Sequence, residues 1–222
     1  MLNIILIYSV GLLAVLSFAL GIYSILINPK PWTVRMWFLL SMAISLWSAN
    51  LFLLMYSKVE SDAILYSKIL HVGASFIPIF FCHFVLNFTF QIGNRKKVIF
   101  LYVGYLLAVI FSLLSLTPLI VAAGSPKVGF PFWVDAGKLY PLLLIYFWVY
   151  VLAGIYFLYQ AHERTGGTTK KKTFYLLVAS IIAFVSGGTS FLPQTLGIYP
   201  FGDFITWLYP VIVTYGIFIK DR

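Results

Sequence analysis

Charged residues are scarce in this sequence. Of its 222 residues, 62% are hydrophobic and only 9% are charged, whereas a soluble domain carries about 25% charged residues. The single cysteine, Cys82, excludes an intramolecular disulfide framework. Several apolar runs exceed the ~18 to 20 residues that are needed to cross ~30 Å of hydrocarbon. The sequence therefore excludes an ordinary soluble domain and predicts a polytopic membrane protein.

Motifs for catalysis and for cofactor binding are also missing. The sequence has no Ser/His/Asp set, no HExxH and no glycine-rich phosphate loop. We therefore predict that the chain is not an enzyme, has no catalytic residues and binds no cofactor. A retinal photoreceptor needs a lysine in the middle of its last helix, and the last segment here has none before Lys220, at its exit. That class of protein is excluded as well.

Seven apolar segments follow one another along the chain. Backbone groups in hydrocarbon have no water partner, so each segment is expected to be a helix. The sequence predicts a single all-α domain, residues 1–222, folded as a seven-transmembrane bundle. The predicted helices cover residues 3–27, 32–56, 63–92, 98–121, 139–160, 173–193 and 201–219, with a loop rich in Gly and Pro at 122–138.

The basic residues are distributed unevenly between the two ends of the predicted bundle. The loops after helices one, three and five, together with the C-terminus, hold 11 of the 15 basic residues and two acidic ones. Since basic loops stay in the cytoplasm, we expect the N-terminus outside and the C-terminus inside. Topology accounts for the whole net charge of +9, so nucleic acid is not an expected partner and membrane lipids are.

Polar side chains occupy two faces of the third segment. His71 and Ser75 share one face, and His83 and Asn87, four residues apart, lie on another with Phe76. A helix of this kind is poorly suited to lipid, so helix three is expected to be central. We expect His83 and Asn87 to form a buried hydrogen-bond network. For His71 two interpretations stay open, a structural role and a place in an outward-opening ligand cavity.

The histidines do not suggest a metal or haem site. His71 and His83 are separated by roughly 18 Å along the helix axis, which is too far for one shared metal ion. The third histidine, His162, lies at the cytoplasmic end of helix five. No metal site is therefore predicted.

The last segment contains a second polar stripe. On one continuous helix Asp203, Thr206, Trp207 and Pro210 share a face. Asp203 is either an exposed acid at the helix start, favoured by the helix dipole, or part of a cavity. Pro210 near mid-helix is expected to leave the Thr206 carbonyl unbonded, which makes it either a hinge or a static kink.

The two stripes together suggest a ligand pocket between helices three and seven. Such pockets are mainly apolar with a few polar groups that orient the ligand, so an amphipathic or lipid-like small molecule is the expected ligand. The predicted ligand-binding residues are His71, Ser75, Phe76, Asp203 and Trp207, with Phe76 and Trp207 as aromatic walls.

Two stretches of the sequence carry a recognisable combination of residues. The first, HVGASFIPIFFCHFVLNFTFQIGNRKK, has Gly73, Pro78, His83 and Phe84 followed by the basic turn at 95–97. The second runs from Lys170 to Arg222 and includes Gly187-Gly188, FLPQTLGIYPFG and YGIFIKDR. Together they resemble the N-terminal seven-transmembrane sensor region of bacterial histidine kinases, which is also found ahead of diguanylate cyclases.

This resemblance implies a signal-input domain in a bacterial inner membrane. A cue from outside or from the membrane would bias the bundle, and helix seven would relay the change to a cytoplasmic kinase or cyclase domain, with a second copy of the chain as a candidate dimer partner. The sequence ends at Arg222 without an output domain, so we expect either the sensor part of a longer protein or a stand-alone member. The alternative function is a stand-alone membrane subunit or a small-molecule or lipid carrier.

Overall fold

The computed structural model describes residues 2–93 and 95–218, and helices make up 79% of these residues. Within these described residues, six elements are long and apolar enough to cross a membrane, and each contains at least 21 residues. Their helices are α1 Leu2–Ile27, α2 Trp32–Tyr56, α3 Glu60–Phe88, α4 Arg95–Ser115, α5 Tyr140–Arg164 and α6 Gly167–Gly187. Short connections join α1 to α2, α2 to α3, α3 to α4 and α5 to α6, so the helices of each of these pairs run antiparallel.

Helix α3 lies at the centre of the bundle. The apolar part of α3 is 72% buried inside the protein, compared with 28% for α4 and 39% for α1. It packs against α2, α4 and α5. Gly73 permits a close approach to α2, because a Cβ atom there would lie 3.0 Å from the Ala43 carbonyl oxygen. These contacts confirm that the helix with two polar faces is central.

A β-hairpin occupies much of the region expected to be a loop. The fourth helix ends at Ser115, before the predicted boundary at residue 121, and strands β1 Val121–Lys127 and β2 Phe130–Ala136 follow. They pair antiparallel, with Lys127 opposite Phe130. Val128 and Gly129 between them both have positive φ values, 46° and 83°, as a tight two-residue hairpin turn requires. Trp133 and Val134 are buried against the end of the bundle.

The last two predicted helices are interrupted. Helix α6 ends at Gly187, and a 3-10 stretch, Gly188–Phe191, leads into the short helix α7, Leu192–Leu196. The final segment consists of a 3-10 turn, Phe201–Phe204, and helix α8, Leu208–Phe218. The expected continuous helix over 201–219 is therefore corrected, and Asp203 and Trp207 lie before α8 rather than in it.

Glycine and proline explain the interruption. Gly197 ends α7 with a φ of 68°, a conformation that favours glycine, and Pro200 follows three residues later. Gly202 packs directly on the backbone of Ser186, where any Cβ atom would overlap it. The chain thus folds back onto α6 before α8 begins.

The two ends of the bundle differ in structure and charge. We name the end that carries the hairpin, the start of α1 and residues 192–204 the hairpin end, and the other the basic end. Asn3 at the start of α1 donates a hydrogen bond of 2.9 Å to the Gly129 carbonyl of the hairpin. The basic end carries Lys30, Arg35, Arg95, Lys96, Lys97, Arg164, Lys170, Lys171 and Lys172. Lys220 and Arg222, which were assigned to the same side, lie outside the described residues.

Candidate functional site

An apolar cavity lies inside the bundle where the interrupted segments meet. It encloses about 480 Å³ of empty space, including its mouth. Five helices and the final segment contribute to its walls, which include Trp47, Ile77, Phe147, Ala183, Thr206 and Tyr209.

Missing side chains create part of this space. Gly187 lines the cavity, and a Cβ atom there would meet Thr206 Cγ2 at 3.5 Å and the Trp47 ring at 3.9 Å, both ordinary contacts. The polar side chains on the wall are few. Thr206 Oγ1 is hydrogen-bonded to Ser186 Oγ at 2.9 Å, and the buried Tyr209 hydroxyl has no hydrogen-bond partner among the described residues.

A smaller cavity of about 250 Å³ lies beside the first, toward the hairpin end. Trp47 and Phe191 line both cavities. His71 lines the smaller one together with Trp133 and Gln194. His71 thus lines a cavity, and its place in an outward-opening ligand cavity stays a prediction.

His71 is also part of a chain of hydrogen bonds that links four elements. Its Nδ1 lies 2.7 Å from the Ser67 carbonyl oxygen, and its Nε2 lies 3.4 Å from the Tyr140 hydroxyl. Gln194 donates to the Tyr140 hydroxyl at 2.6 Å, and Trp133 donates to Gln194 Oε1 at 2.6 Å. Tyr140, Gln194 and Trp133 were missed from the sequence, because no local pattern brings positions 62 to 123 residues away to His71.

Asp203 is buried, with 1% of its surface exposed. This excludes the interpretation of an exposed acid at a helix start. Ser190 donates a hydrogen bond of 2.5 Å to Asp203 Oδ2, and Oδ1 has no partner among the described residues. Ser190 lines the smaller cavity, so Asp203 contacts a wall residue of this cavity without lining it.

The other three predicted ligand residues line neither of these two cavities. Ser75 donates to the His71 carbonyl at 2.8 Å. Phe76 stacks on Phe80, with ring centroids 5.5 Å apart. Trp207 donates to the Phe204 carbonyl at 3.0 Å. Trp47, Phe147 and Tyr209 form the aromatic walls instead.

The correction for Trp207 follows from the backbone. Its assignment to a polar stripe with Asp203 assumed a continuous helix with 100° per residue. Residues 201–207 form a 3-10 turn and further turns, so that periodicity does not apply there.

His83 and Asn87 are connected, and their partner comes from α4. Asn87 Nδ2 donates to the His83 carbonyl at 3.0 Å, and His83 Nδ1 is hydrogen-bonded to the Tyr105 hydroxyl at 2.6 Å. The sequence suggested an interhelical bond but did not identify Tyr105. Both α3 side chains are half-buried.

Pro210 lies in the first turn of α8 and not near the middle of a helix. The Tyr209 amide donates to the Thr206 carbonyl at 3.1 Å, so this carbonyl is not left unbonded. A proline in the first helical turn breaks no intrahelical hydrogen bond. The mid-helix kink is therefore corrected, and a hinge role for Pro210 stays a prediction.

The described residues contain no cluster of three His, Cys, Asp or Glu side chains that could hold a metal ion. His162 is hydrogen-bonded at the basic end to Thr173 Oγ1, 3.2 Å away, and it lines neither the apolar cavity nor the smaller one.

The comparison with known families agrees with a helical, membrane-spanning architecture. A family model described as the N-terminal 7TM region of histidine kinase matches residues 9–219. No curated protein matches the chain. The matched region includes both cavities, the hairpin and Asp203, and this sensor-region family is not catalytic. Because the match spans nearly the whole sequence, the chain belongs to the family of N-terminal seven-transmembrane regions of histidine kinases.

Proposed function

We propose that this chain detects an extracytoplasmic or membrane-borne cue and relays it through α8 to a cytoplasmic histidine kinase or cyclase domain. One observation carries the proposal: the apolar cavity is bounded by Thr206 and Tyr209, which flank the start of α8. An occupant of the cavity would touch the last helix where it begins. The same helix leads toward the C-terminus, where an output domain would be attached.

The cavity favours a mainly apolar ligand with few polar groups. Its described polar side chains are the Thr206 and Tyr209 hydroxyls and the Trp47 ring nitrogen, and the remaining walls are aliphatic, aromatic or glycine. Burying a sugar or a charged ligand there would leave most of its polar groups unpaired, at a cost of about 1–3 kcal/mol each. An amphipathic or lipid-like molecule is therefore the proposed ligand class.

The relay requires two arrangements of α8 with different affinities for the occupant. A ligand shifts such an equilibrium only by its differential affinity for the two states. We place the bend between the 3-10 turn 201–204 and α8, where the backbone changes to an α-helix. Pro210, in the first turn of α8, is the proposed hinge residue.

The proposed orientation puts the hairpin end outside the cell and the basic end in the cytoplasm. It follows from the basic residues of the loops after α1, α3 and α5 and from the preference of such loops for the cytoplasm. In this orientation the smaller cavity beside His71 lies closer to the outer surface than the apolar cavity, and α8 points inward.

The test is to join the chain to a histidine kinase domain and to measure basal autophosphorylation in lipid vesicles. Ala183→Leu adds three carbon atoms to a side chain on the cavity wall. We expect it to change the basal activity several-fold by occupying the space of a ligand. Val185→Leu is the matched control, because Val185 lies on the same helix and is 68% exposed on its outer surface.

Equal basal activity of both variants and wild type, with normal folding, would contradict a role of the cavity in signalling. Pro210→Ala in the same fusion tests the hinge, with Pro29→Ala in an exposed loop as its control. If Pro210→Ala leaves both basal activity and vesicle-lipid response unchanged, the hinge role is wrong.

A further inference from the structure

We propose that Asp203, together with the hydroxyls of Ser190 and Thr206, binds a small monovalent metal cation such as Na⁺ inside the bundle. The site lies where two 3-10 stretches, Gly188–Phe191 and Phe201–Phe204, pack against each other. This proposal does not depend on the proposed input function, because it requires neither an output domain nor an occupant of the apolar cavity.

The first argument is the unpartnered oxygen of Asp203. The side chain is 1% exposed, and Oδ1 has no hydrogen-bond partner in the described part of the chain, whereas Oδ2 accepts a bond from Ser190. An isolated buried carboxylate oxygen is costly, and native proteins almost always satisfy such an atom. A bound cation would satisfy it.

The second argument is the kind of atom that surrounds this carboxyl. Ser190 Oγ lies 2.5 Å from Oδ2. The Thr206 hydroxyl, which is bonded to Ser186 Oγ at 2.9 Å and to the Gly202 carbonyl at 3.4 Å, also lies close enough to the Asp203 carboxyl to interact with it. Hydroxyl groups rotate and offer lone pairs as well as hydrogens. Oxygen ligands of this kind suit hard cations, whereas transition metals prefer imidazole or thiolate.

The third argument is charge balance. Hydroxyls and main-chain groups, and no lysine or arginine, form the hydrogen bonds described around Asp203. One carboxylate neutralises one positive charge. A divalent ion would leave an uncompensated charge in a low-dielectric interior, which is strongly unfavourable. The site is therefore assigned to a monovalent cation.

The backbone at the site supports a binding role. Irregular backbone at membrane depth is tolerated where it is enclosed by protein or lines a cavity. Here Thr189 accepts a bond of 2.9 Å from the Gly202 amide, and Ser9 of α1 donates to the Asp203 carbonyl at 2.9 Å. Side chains thus hold both 3-10 stretches in place around the carboxyl. The expectation of no metal site was based on histidine positions and did not consider this oxygen cluster.

The experiment uses the full chain purified in detergent at pH 8. Binding of ²²Na⁺ is measured directly, and thermal unfolding is compared in NaCl and in choline chloride at equal ionic strength. We expect saturable ²²Na⁺ binding and a higher Tm in NaCl. Asp203→Asn should abolish both effects, and Ser190→Ala should weaken ²²Na⁺ binding at least tenfold. Asp135→Asn, in the hairpin, is the control that should retain both.

Three results would overturn the proposal. The first is a folded wild-type protein that binds no ²²Na⁺. The second is a thermal stability that depends on pH but not on Na⁺, and that no longer depends on pH in Asp203→Asn. This result would mean that Asp203 binds a proton and no cation. The third is stabilisation by Mg²⁺ in place of Na⁺. If Asp203→Asn does not fold, Ser190→Ala and Thr206→Val decide the test, and unchanged ²²Na⁺ affinity in both contradicts the site.

Discussion

The indole nitrogen of Trp133 donates a hydrogen bond of 2.6 Å to the side-chain carbonyl of Gln194. Trp133 lies on β2 of the hairpin and Gln194 lies on α7, immediately after the interruption of α6. Gln194 in turn donates to Tyr140, whose ring packs edge-on against His71 with centroids 5.5 Å apart. The hairpin is thereby connected to the central helix α3 and to the irregular segment that precedes α8.

Replacing Gln194 by leucine should lower the stability of the protein. The change leaves the buried nitrogen of Trp133 without an acceptor and removes a donor to Tyr140, at a cost of about 1–3 kcal/mol for each unsatisfied group. We expect a lower Tm in thermal unfolding of the purified chain. Gln160→Leu, whose amide bonds the exposed Tyr156 hydroxyl at the basic end, should change the Tm little.

The same pair permits a coupling measurement. Trp133→Phe retains a ring but removes the indole donor, so its effect and that of Gln194→Leu should be non-additive by about 0.5–3 kcal/mol. Strict additivity in the double variant would show that the bond between them contributes nothing to stability.

Substituting alanine at Gly104 should be destabilising. A Cβ atom there would overlap the Ile79 side chain of α3 and lie within 2.7 Å of the Tyr150 ring of α5, so these side chains or the helices that carry them would have to move. Overpacking of this kind costs about 1–3 kcal/mol. Thermal unfolding should show a reduced Tm, and the Phe100–Tyr150 stack, with centroids 4.3 Å apart, should be disturbed.

Gly216 is the matched control for Gly104, because it is also buried in a helix. Its Cβ atom would find ordinary contacts, the nearest at 3.5 Å from Tyr175 Cβ. Gly216→Ala should be neutral or stabilising, by up to about 1 kcal/mol. A greater loss of stability at Gly216 than at Gly104 would contradict the packing described here.

The hairpin should lose stability in acid through Asp135. Partial burial raises the pKa of this carboxyl, but hydrogen bonds from Lys127 and Ser125 and the charge of Lys127 outweigh burial and lower the pKa below its ordinary value of 3.8. Lys127 Nζ lies 2.5 Å from Asp135 Oδ1. Since the folded pKa is depressed, the stabilisation is complete above about pH 4 and is lost as the pH falls through the folded pKa.

The pH prediction is tested by thermal unfolding of wild type, Asp135→Asn and Lys127→Met between pH 7 and pH 2. We expect wild type to be more stable than Asp135→Asn at pH 7, with a difference that shrinks toward pH 2. When Lys127 is replaced by Met, the further change Asp135→Asn should alter the Tm little even at pH 7. A constant difference across the range would rule out the ion pair as its cause.

The orientation is tested by labelling introduced cysteines in intact cells with a reagent that does not cross membranes. Lys138→Cys at the hairpin end should react from outside, and Lys171→Cys at the basic end should react only after the membrane is opened. Both lysines are exposed, and the native Cys82 is fully buried, so it should give little background. Labelling of position 171 in intact cells would reverse the proposed topology.

The local features of the sequence were sufficient for the membrane class and for most of the helices. A run of apolar residues has to bury its backbone polar groups in a helix wherever it lies in a membrane. The predicted second helix agrees with α2 at both ends, Trp32 and Tyr56. The two polar faces of α3 likewise predicted that other helices surround it, although the sequence did not identify them. In the structure these helices are α2, α4 and α5.

The sequence alone did not determine the sites, because they depend on contacts between residues far apart in the chain. Apolar character does not distinguish a helix from a 3-10 turn, so Asp203 was placed on a helix that begins only at Leu208. Its burial follows from Gly202 packing on the backbone of Ser186 and from Ser9, 194 residues away, bonding its carbonyl. Only the tertiary structure brings Ser190 to Asp203 and Tyr105 to His83, because these side chains come into contact when separate segments pack. The periodicity within one segment does not predict contacts of this kind.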